Sequence, residues 1–210
     1  MDIAGILIVI LTILVSMTLH EAMHGFMSYW LGDDTAKLQG RLTLNPIKHI
    51  DPFLTILLPL SLAVVGAPIF GGAKPVPFNP ERVRGGEWGV ALVALAGPLT
   101  NLIIAFVSFG LLVFASDFSA MWQQAILTSV SVNLGFFVFN MIPIPPLDGS
   151  RVLYALAPEF VQRAMEAVER FGVIPIFLII LVASSAIGSF MSSAIIAILR
   201  VFAAIYGVSL

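Results

Sequence analysis

Residues 3–24 read IAGILIVILTILVSMTLHEAMH, an apolar run that ends in two histidines and a glutamate. No Lys, Arg, Asp or Glu stands between Ile3 and His20. At about 1.5 Å per residue, a helix of this length crosses the roughly 30 Å hydrocarbon layer of a bilayer. The run has no basic flank and no cleavage pattern of small residues, and it leads directly into ionisable side chains. We therefore expect a retained membrane-spanning helix and not a signal peptide.

The rest of the chain has the composition of an all-α polytopic membrane protein. Of the 210 residues, 59% are hydrophobic and 10% are charged. Three later stretches also lack Lys, Arg, Asp and Glu, at residues 89–116, 118–147 and 171–199. Runs of this length predict membrane spans. The predicted spans cover about 3–31, 89–115 and 121–142, with one or two more over 171–208.

Charge and cysteine content exclude several classes of protein. The net charge of −2 gives no reason to expect nucleic acid as a partner, whereas the apolar runs make the lipid bilayer one. Without cysteine, a metal site would need histidine and carboxylate ligands. No internal repeat or long linker divides the chain, which predicts one membrane-embedded domain over residues 1–210.

Residues 53–70 form an apolar segment that decides the topology, because Pro59, Gly66 and Pro68 interrupt it. It either crosses the bilayer or enters and leaves on one side. The second arrangement places nine of the ten basic residues on one face, which the positive-inside bias assigns to the cytoplasm: Lys37, Arg41, Lys48, Lys74, Arg82, Arg84, Arg151, Arg163 and Arg170. We therefore predict a re-entrant segment and about five to six transmembrane helices in the cell membrane.

The polar segments predict short cytoplasmic elements. Apolar residues alternate in KLQGRLTLN (37–45), and prolines extend KPVPF (74–78), so both segments are interpreted as short β-strands. Residues 150–170 are predicted to form an amphipathic helix on the cytoplasmic face, because charges recur every three or four positions after Pro158.

His20-Glu21-Ala22-Met23-His24 is an H-E-x-x-H motif on the first predicted helix. The i, i+4 spacing puts both imidazoles on one face about 6 Å apart, where they can share one zinc ion. Glu21 can then take a proton from a water on the metal. A polar patch closing a membrane helix is the structural alternative. Ionisable groups this deep in an apolar helix are costly without a partner, which favours the metal site.

A catalytic zinc site needs a third protein ligand, and the remaining candidates are carboxylates or His49. Asp148 is the strongest of these, because it follows a long stretch without charge and lies in NMIPIPPLDG (140–149). Prolines there interrupt the helix and let backbone line a cavity. Capping of a helix that begins near Ser150 is the alternative role. One zinc ion requires all its ligands at one depth, and only a re-entrant segment 53–70 brings both motifs to the same surface.

Three motifs together resemble the site-2 protease family: HEAMH at 20–24, GPLTN at 97–101 and NMIPIPPLDG at 140–149. The resemblance implies an intramembrane zinc metalloprotease that cleaves transmembrane segments of membrane proteins. The predicted topology puts its site towards the cytoplasm. The resemblance also makes Asn140 and Asn101 candidates for holding the substrate or its oxyanion. Ser150 departs from the family pattern, which often has a second glycine there. The chain also has no room for the PDZ domain that many relatives carry.

Two other functions agree with the same residues. A membrane transporter or channel would use the histidine and aspartate cluster to bind an ion in passage. An inactive homologue would grip membrane helices without cutting them. The presence of Glu21 beside the predicted ligands favours hydrolysis over both.

Overall fold

The computed structural model describes residues 2–57, 61, 72–115 and 117–209, and within them the chain is almost entirely helical. Short 3₁₀ turns occur at Pro46–His49 and Pro80–Arg82, and a π-helical segment at Pro52–Leu57. The α-helices are α1 (Ile3–Trp30), α2 (Thr35–Leu38), α3 (Gly86–Val113), α4 (Ala120–Asn140), α5 (Asp148–Leu156), α6 (Glu159–Glu169) and α7 (Ile174–Tyr206).

Three helices in the described part of the chain are long and apolar enough to span a membrane: α1 and α3 with 28 residues each, and α7 with 33. The predicted count of five to six is not supported. Helix α4 forms as predicted, but its 21 residues include two glutamines and two asparagines and it falls outside this group. The C-terminal region is a single helix that bends at Ala183 (φ −116°, ψ 25°).

Most of the predicted re-entrant segment lies outside the described residues. The chain on either side of it is joined by hydrogen bonds. The Thr55 hydroxyl donates to the Gly72 carbonyl over 2.7 Å, and the Lys74 amide donates to the His49 carbonyl over 2.9 Å. Residues 49–55 and 72–74, on the two sides of the segment, therefore lie next to each other.

Helices α1 and α3 pack antiparallel. Val93 of α3 contacts His24 of α1, and Asn101, further along α3, contacts His20, further back along α1. The Arg84 amide, just before α3, donates to the carbonyl of Leu31, just after α1, over 2.8 Å. The end of α1 and the start of α3 are therefore at the same level.

Helix α4 runs parallel to α1 and completes the three-helix core that holds the site. Asn133 of α4 contacts Ser16 of α1, and Asp148, after the end of α4, contacts His20 of α1. An apolar cluster attaches α7 to this core through Phe202 and Ala203. It also contains Ala105, Phe109, Val130 and Leu134.

The prediction of two short strands is wrong for the described residues. Residues 35–38 are helical, and residues 73–79 have no regular secondary structure. Besides the bond from the Lys74 amide to His49, this backbone bonds to two side chains: Arg41 donates to the Lys74 carbonyl over 2.8 Å, and Glu21 accepts from the Val76 amide over 2.9 Å. Prolines at 75 and 77 have no amide proton, which removes two of the donors that a ladder would need.

Two helices, α5 and α6, stand where the sequence indicates one amphipathic helix over 150–170. They separate at Pro158, which favours extended backbone in the preceding residue. Arg151 of α5 forms an ion pair with Glu169 of α6. Tyr154 of α5 donates its hydroxyl to Glu166 over 2.6 Å, and this carboxylate raises the pKa of Tyr154 to about 12. These contacts fold α6 back against α5.

Candidate metal centre

Three side chains from two distant parts of the sequence converge beside the C-terminal half of α1. Nε2 of His20 lies 3.1 Å from Nε2 of His24, because i, i+4 residues share one face of a helix. Oδ2 of Asp148, in the first turn of α5, lies 3.2 Å from the first of these atoms and 3.5 Å from the second. The three residues that the sequence predicts as ligands therefore meet at one point.

Hydrogen bonds fix which nitrogen of each imidazole faces that point. Nδ1 of His20 lies 2.6 Å from Oδ1 of Asn101, and Nδ1 of His24 lies 2.8 Å from the Val93 carbonyl oxygen. Both oxygens can only accept, so each Nδ1 is the donor. In the neutral imidazoles, both Nε2 atoms therefore present lone pairs to each other and to a carboxylate. Three lone pairs facing one another favour a bound cation, and two imidazoles with one carboxylate suit zinc.

Gly97 leaves the space that this cluster occupies. A Cβ atom on Gly97 would lie 2.5 Å from Nε2 of His24 and 2.7 Å from Nε2 of His20. Any larger residue at this position of α3 would therefore press on both ligand nitrogens. Sequence analysis found Gly97 only as part of a motif and did not predict this steric role.

Glu21 lies beside the ligands as predicted. One ring nitrogen of His20, one ring nitrogen of His24 and one carboxylate oxygen of Glu21 all lie within 4.8 Å of one another. One carboxylate oxygen of Glu21 accepts a hydrogen bond from the Val76 amide over 2.9 Å. Glu21 is half-buried and faces the cavity, so its carboxylate can reach a molecule bound at the convergence point.

The two asparagines predicted to hold substrate occupy different environments. Asn140 lines the cavity, and its side-chain amide donates to the Phe136 carbonyl over 3.0 Å. Asn101 is fully buried and is not among the cavity-lining residues. Its contact with His20 makes it a partner of a ligand instead of a group available to substrate.

His49, the other candidate for third ligand, lies outside the cluster. Its side chain is fully buried, and Nε2 donates to the Thr43 carbonyl over 2.8 Å. It does not line the cavity. Of the two candidates, only Asp148 is within reach of both N-terminal histidines.

A cavity of about 340 Å³ opens beside the convergence point. The ionisable residues on its wall are the three ligand candidates, Glu21 and Arg151. Much of the remaining wall is apolar, including Met17, Val76, Phe78, Phe136, Phe139, Val173 and Ile176. The cavity thus combines a small polar cluster with a surface suited to apolar side chains.

Sequence analysis missed two buried polar residues behind the ligands, Ser16 and Asn133. Each is at most 3% exposed, and both belong to a hydrogen-bonded chain that ends at His20. A signal was available in the sequence: Asn133 is an amide in the middle of a run without charge, where a polar group needs a partner.

Comparisons with known proteins show which family the chain resembles. The model of Peptidase family M50 matches residues 114–184. The chain is 40% identical over 210 residues to "Putative zinc metalloprotease YwhC" of Bacillus subtilis, covering 94% of this chain and 91% of that protein. It is 35% identical over 178 residues to "Putative zinc metalloprotease Rip2" of Mycolicibacterium smegmatis, covering 80% and 63%. The Rip2 of Mycobacterium tuberculosis is 33% identical over 185 residues, covering 85% and 68%. No solved structure matches at a significant level.

Proposed function

The chain belongs to peptidase family M50, the site-2 protease family, and on this basis we propose that it hydrolyses peptide bonds within transmembrane segments of membrane proteins. The observation that carries the proposal is the convergence of His20, His24 and Asp148 beside Glu21, at the wall of a largely apolar cavity. Three apolar helices long enough to span a bilayer support a membrane protein. The physiological role would be regulated intramembrane proteolysis.

His20, His24 and Asp148 would hold one zinc ion. When bound, zinc supplies the Lewis acidity that makes a water molecule nucleophilic near neutral pH. Glu21 then accepts the proton of the attacking water and returns it to the amide nitrogen that leaves. The Val76 amide holds one oxygen of Glu21, and we assign the other oxygen as the proton acceptor.

Asn140 is the residue that we assign to the substrate. Its side chain lines the cavity on the wall formed by the end of α4, where a carbonyl of an unwound substrate would lie close to the polar cluster. The apolar wall would accommodate the side chains of a transmembrane segment. Because a helical peptide bond is shielded by its own hydrogen bonds, a substrate must unwind locally before hydrolysis.

We assign the site to the cytoplasmic side of the cell membrane. The end of α1 and the start of α3 lie together, so the polar residues between them are on one side. Six of the ten basic residues fall in that connection: Lys37, Arg41, Lys48, Lys74, Arg82 and Arg84. The positive-inside bias places such a connection in the cytoplasm, with His24 near that surface.

Cleavage of model substrates by the purified, zinc-loaded chain tests the proposal. The substrates are single-span proteins with different apolar segments, reconstituted with the enzyme in lipid vesicles, and products are mapped by mass spectrometry. We expect cuts inside the apolar segment that stop when a chelator removes zinc and return when zinc is restored. Zinc that passes through the vesicle membrane, with every substrate left intact, would support a transporter instead.

A further inference from the structure

A chain of buried polar side chains runs behind the metal centre across the three core helices. Ser16 belongs to α1, Asn101 to α3 and Asn133 to α4, and both asparagines are fully buried. Asn101 donates to Oδ1 of Asn133 over 2.8 Å, and Asn133 donates to the Ser16 hydroxyl over 2.9 Å. Such groups are costly to bury unless their partners are well placed, so their arrangement is informative.

A backbone carbonyl determines which groups donate and which accept along this series of hydrogen bonds. The amide group of Asn133 lies 2.8 Å from the carbonyl oxygen of Ser129, one turn earlier in α4. A carbonyl oxygen can only accept, so the atom facing it must be the Nδ2 of Asn133. The Oδ1 of Asn133 then faces Asn101 and can only accept from it.

The orientation of the Asn101 amide in turn determines which nitrogen of His20 carries the proton. Its Nδ2 must face Asn133, and the same nitrogen lies 3.4 Å from the Ser16 carbonyl oxygen, another pure acceptor. Its Oδ1 is therefore left facing Nδ1 of His20, 2.6 Å away. That contact requires a proton on Nδ1 and leaves the lone pair on Nε2, where a metal binds.

We propose that Asn133 is a positioning residue for the metal centre: by orienting the side-chain amide of Asn101, it selects the tautomer of His20 that can bind zinc. The inference rests on the proposed zinc site. If the Asn101 amide rotated by half a turn, its NH₂ group would face Nδ1 and favour the proton on Nε2. His20 would then present a proton to the metal position instead of a lone pair.

The second histidine provides an internal comparison. Nδ1 of His24 donates to the backbone carbonyl of Val93. A carbonyl in the middle of a helix cannot exchange its oxygen for a donor, so the tautomer of His24 needs no side-chain relay. Loss of Asn133 should therefore affect His20 and spare His24.

Three variants separate orientation of Asn101 from simple packing. Asn133→Leu and Asn133→Ala remove the acceptor, one with similar bulk and one by truncation. Gln124→Leu makes a matched amide-to-leucine change on the exposed side of α4.

Zinc affinity is measured by chelator competition on the full-length protein in detergent. The Nδ1 protons of zinc-loaded, ¹⁵N-histidine-labelled protein are followed by NMR. We expect Asn133→Leu and Asn133→Ala to weaken zinc binding about tenfold, since partners behind a ligand typically contribute ten- to hundredfold. The Nδ1 proton of His20 should shift upfield and exchange faster with water, while that of His24 stays unchanged. Gln124→Leu should behave as wild type.

Two results would overturn the inference alone. One is wild-type zinc affinity and an unchanged His20 proton in Asn133→Ala. The other is equal disturbance of His20 and His24, which would indicate a packing defect. If Asn133→Leu does not fold, Asn133→Ala carries the test. A wild-type chain without measurable zinc affinity would overturn the metal centre itself, and with it both proposals.

Discussion

The backbone amide of Val76 donates to Oε2 of Glu21 over 2.9 Å. Val76 stands between two prolines, so its amide is the one donor that residues 75–77 can offer. Through Val76, the segment after Gly72 thus donates one hydrogen bond to the carboxylate that we assign as the base. This contact orients Glu21 towards the cavity, and it involves none of the three side chains that we assign as metal ligands.

Replacing Val76 by proline should slow cleavage and leave zinc binding intact. The variant removes the donor at a position whose neighbours are already proline, and a lost hydrogen bond to a charged group costs about 1.5–3 kcal/mol. That cost corresponds to a fall in kcat of roughly tenfold or more. Single-turnover cleavage and zinc content are the measurements. Val76→Ala keeps the amide and serves as control, so an equal loss in both variants would assign the effect to the side chain.

Gly97→Ala should displace zinc. The added methyl would lie 2.5 Å from Nε2 of His24, a distance at which the ligand must move. Overpacking of this kind costs about 1–3 kcal/mol and here falls on the metal ligands. Zinc content and thermal unfolding are measured together. Gly135→Ala is the control, because a Cβ there meets nothing within 4 Å and alanine favours a helix. Full zinc occupancy in Gly97→Ala would contradict the geometry of the centre.

Asp148→Asn should weaken zinc binding more than any change outside the cluster. The amide keeps the shape of the side chain but loses the charge that balances a divalent cation. We expect an affinity loss of at least about 100-fold by chelator competition. Asp34→Asn breaks an exposed ion pair with Arg82 and should leave zinc binding unchanged. An Asp148→Asn protein with wild-type affinity would mean that the third ligand is another residue.

The sequence predicted the features that depend on long runs or fixed helical spacing. Apolar runs gave α1, α3 and α4, and i, i+4 spacing predicted the contact of His20 with His24. The requirement for a third ligand at the same depth predicted the approach of Asp148, which the structure brings to both imidazoles.

The features that failed depend on contacts between distant segments. Alternating leucines suggested a strand over residues 37–45, but the backbone amides of residues 38–41 donate to carbonyls three to five residues earlier, as in helical turns. The sequence allows one or two spans over the C-terminal run, and the structure has one helix that bends at Ala183. Asn101 was interpreted as a substrate contact, and only the packing of α3 against α1 shows that it faces His20 from behind.

The most direct test of the account compares wild type with Glu21→Gln for both zinc content and cleavage of a single-span substrate. The account predicts equal zinc in the two proteins and a loss of cleavage of at least about 100-fold in Glu21→Gln, because general base catalysis contributes that much or more. Glu81→Gln, at an exposed turn, should cleave normally. A Glu21→Gln protein that holds zinc and cleaves at the wild-type rate would contradict the assignment of Glu21 as the base, and with it the proposed mechanism.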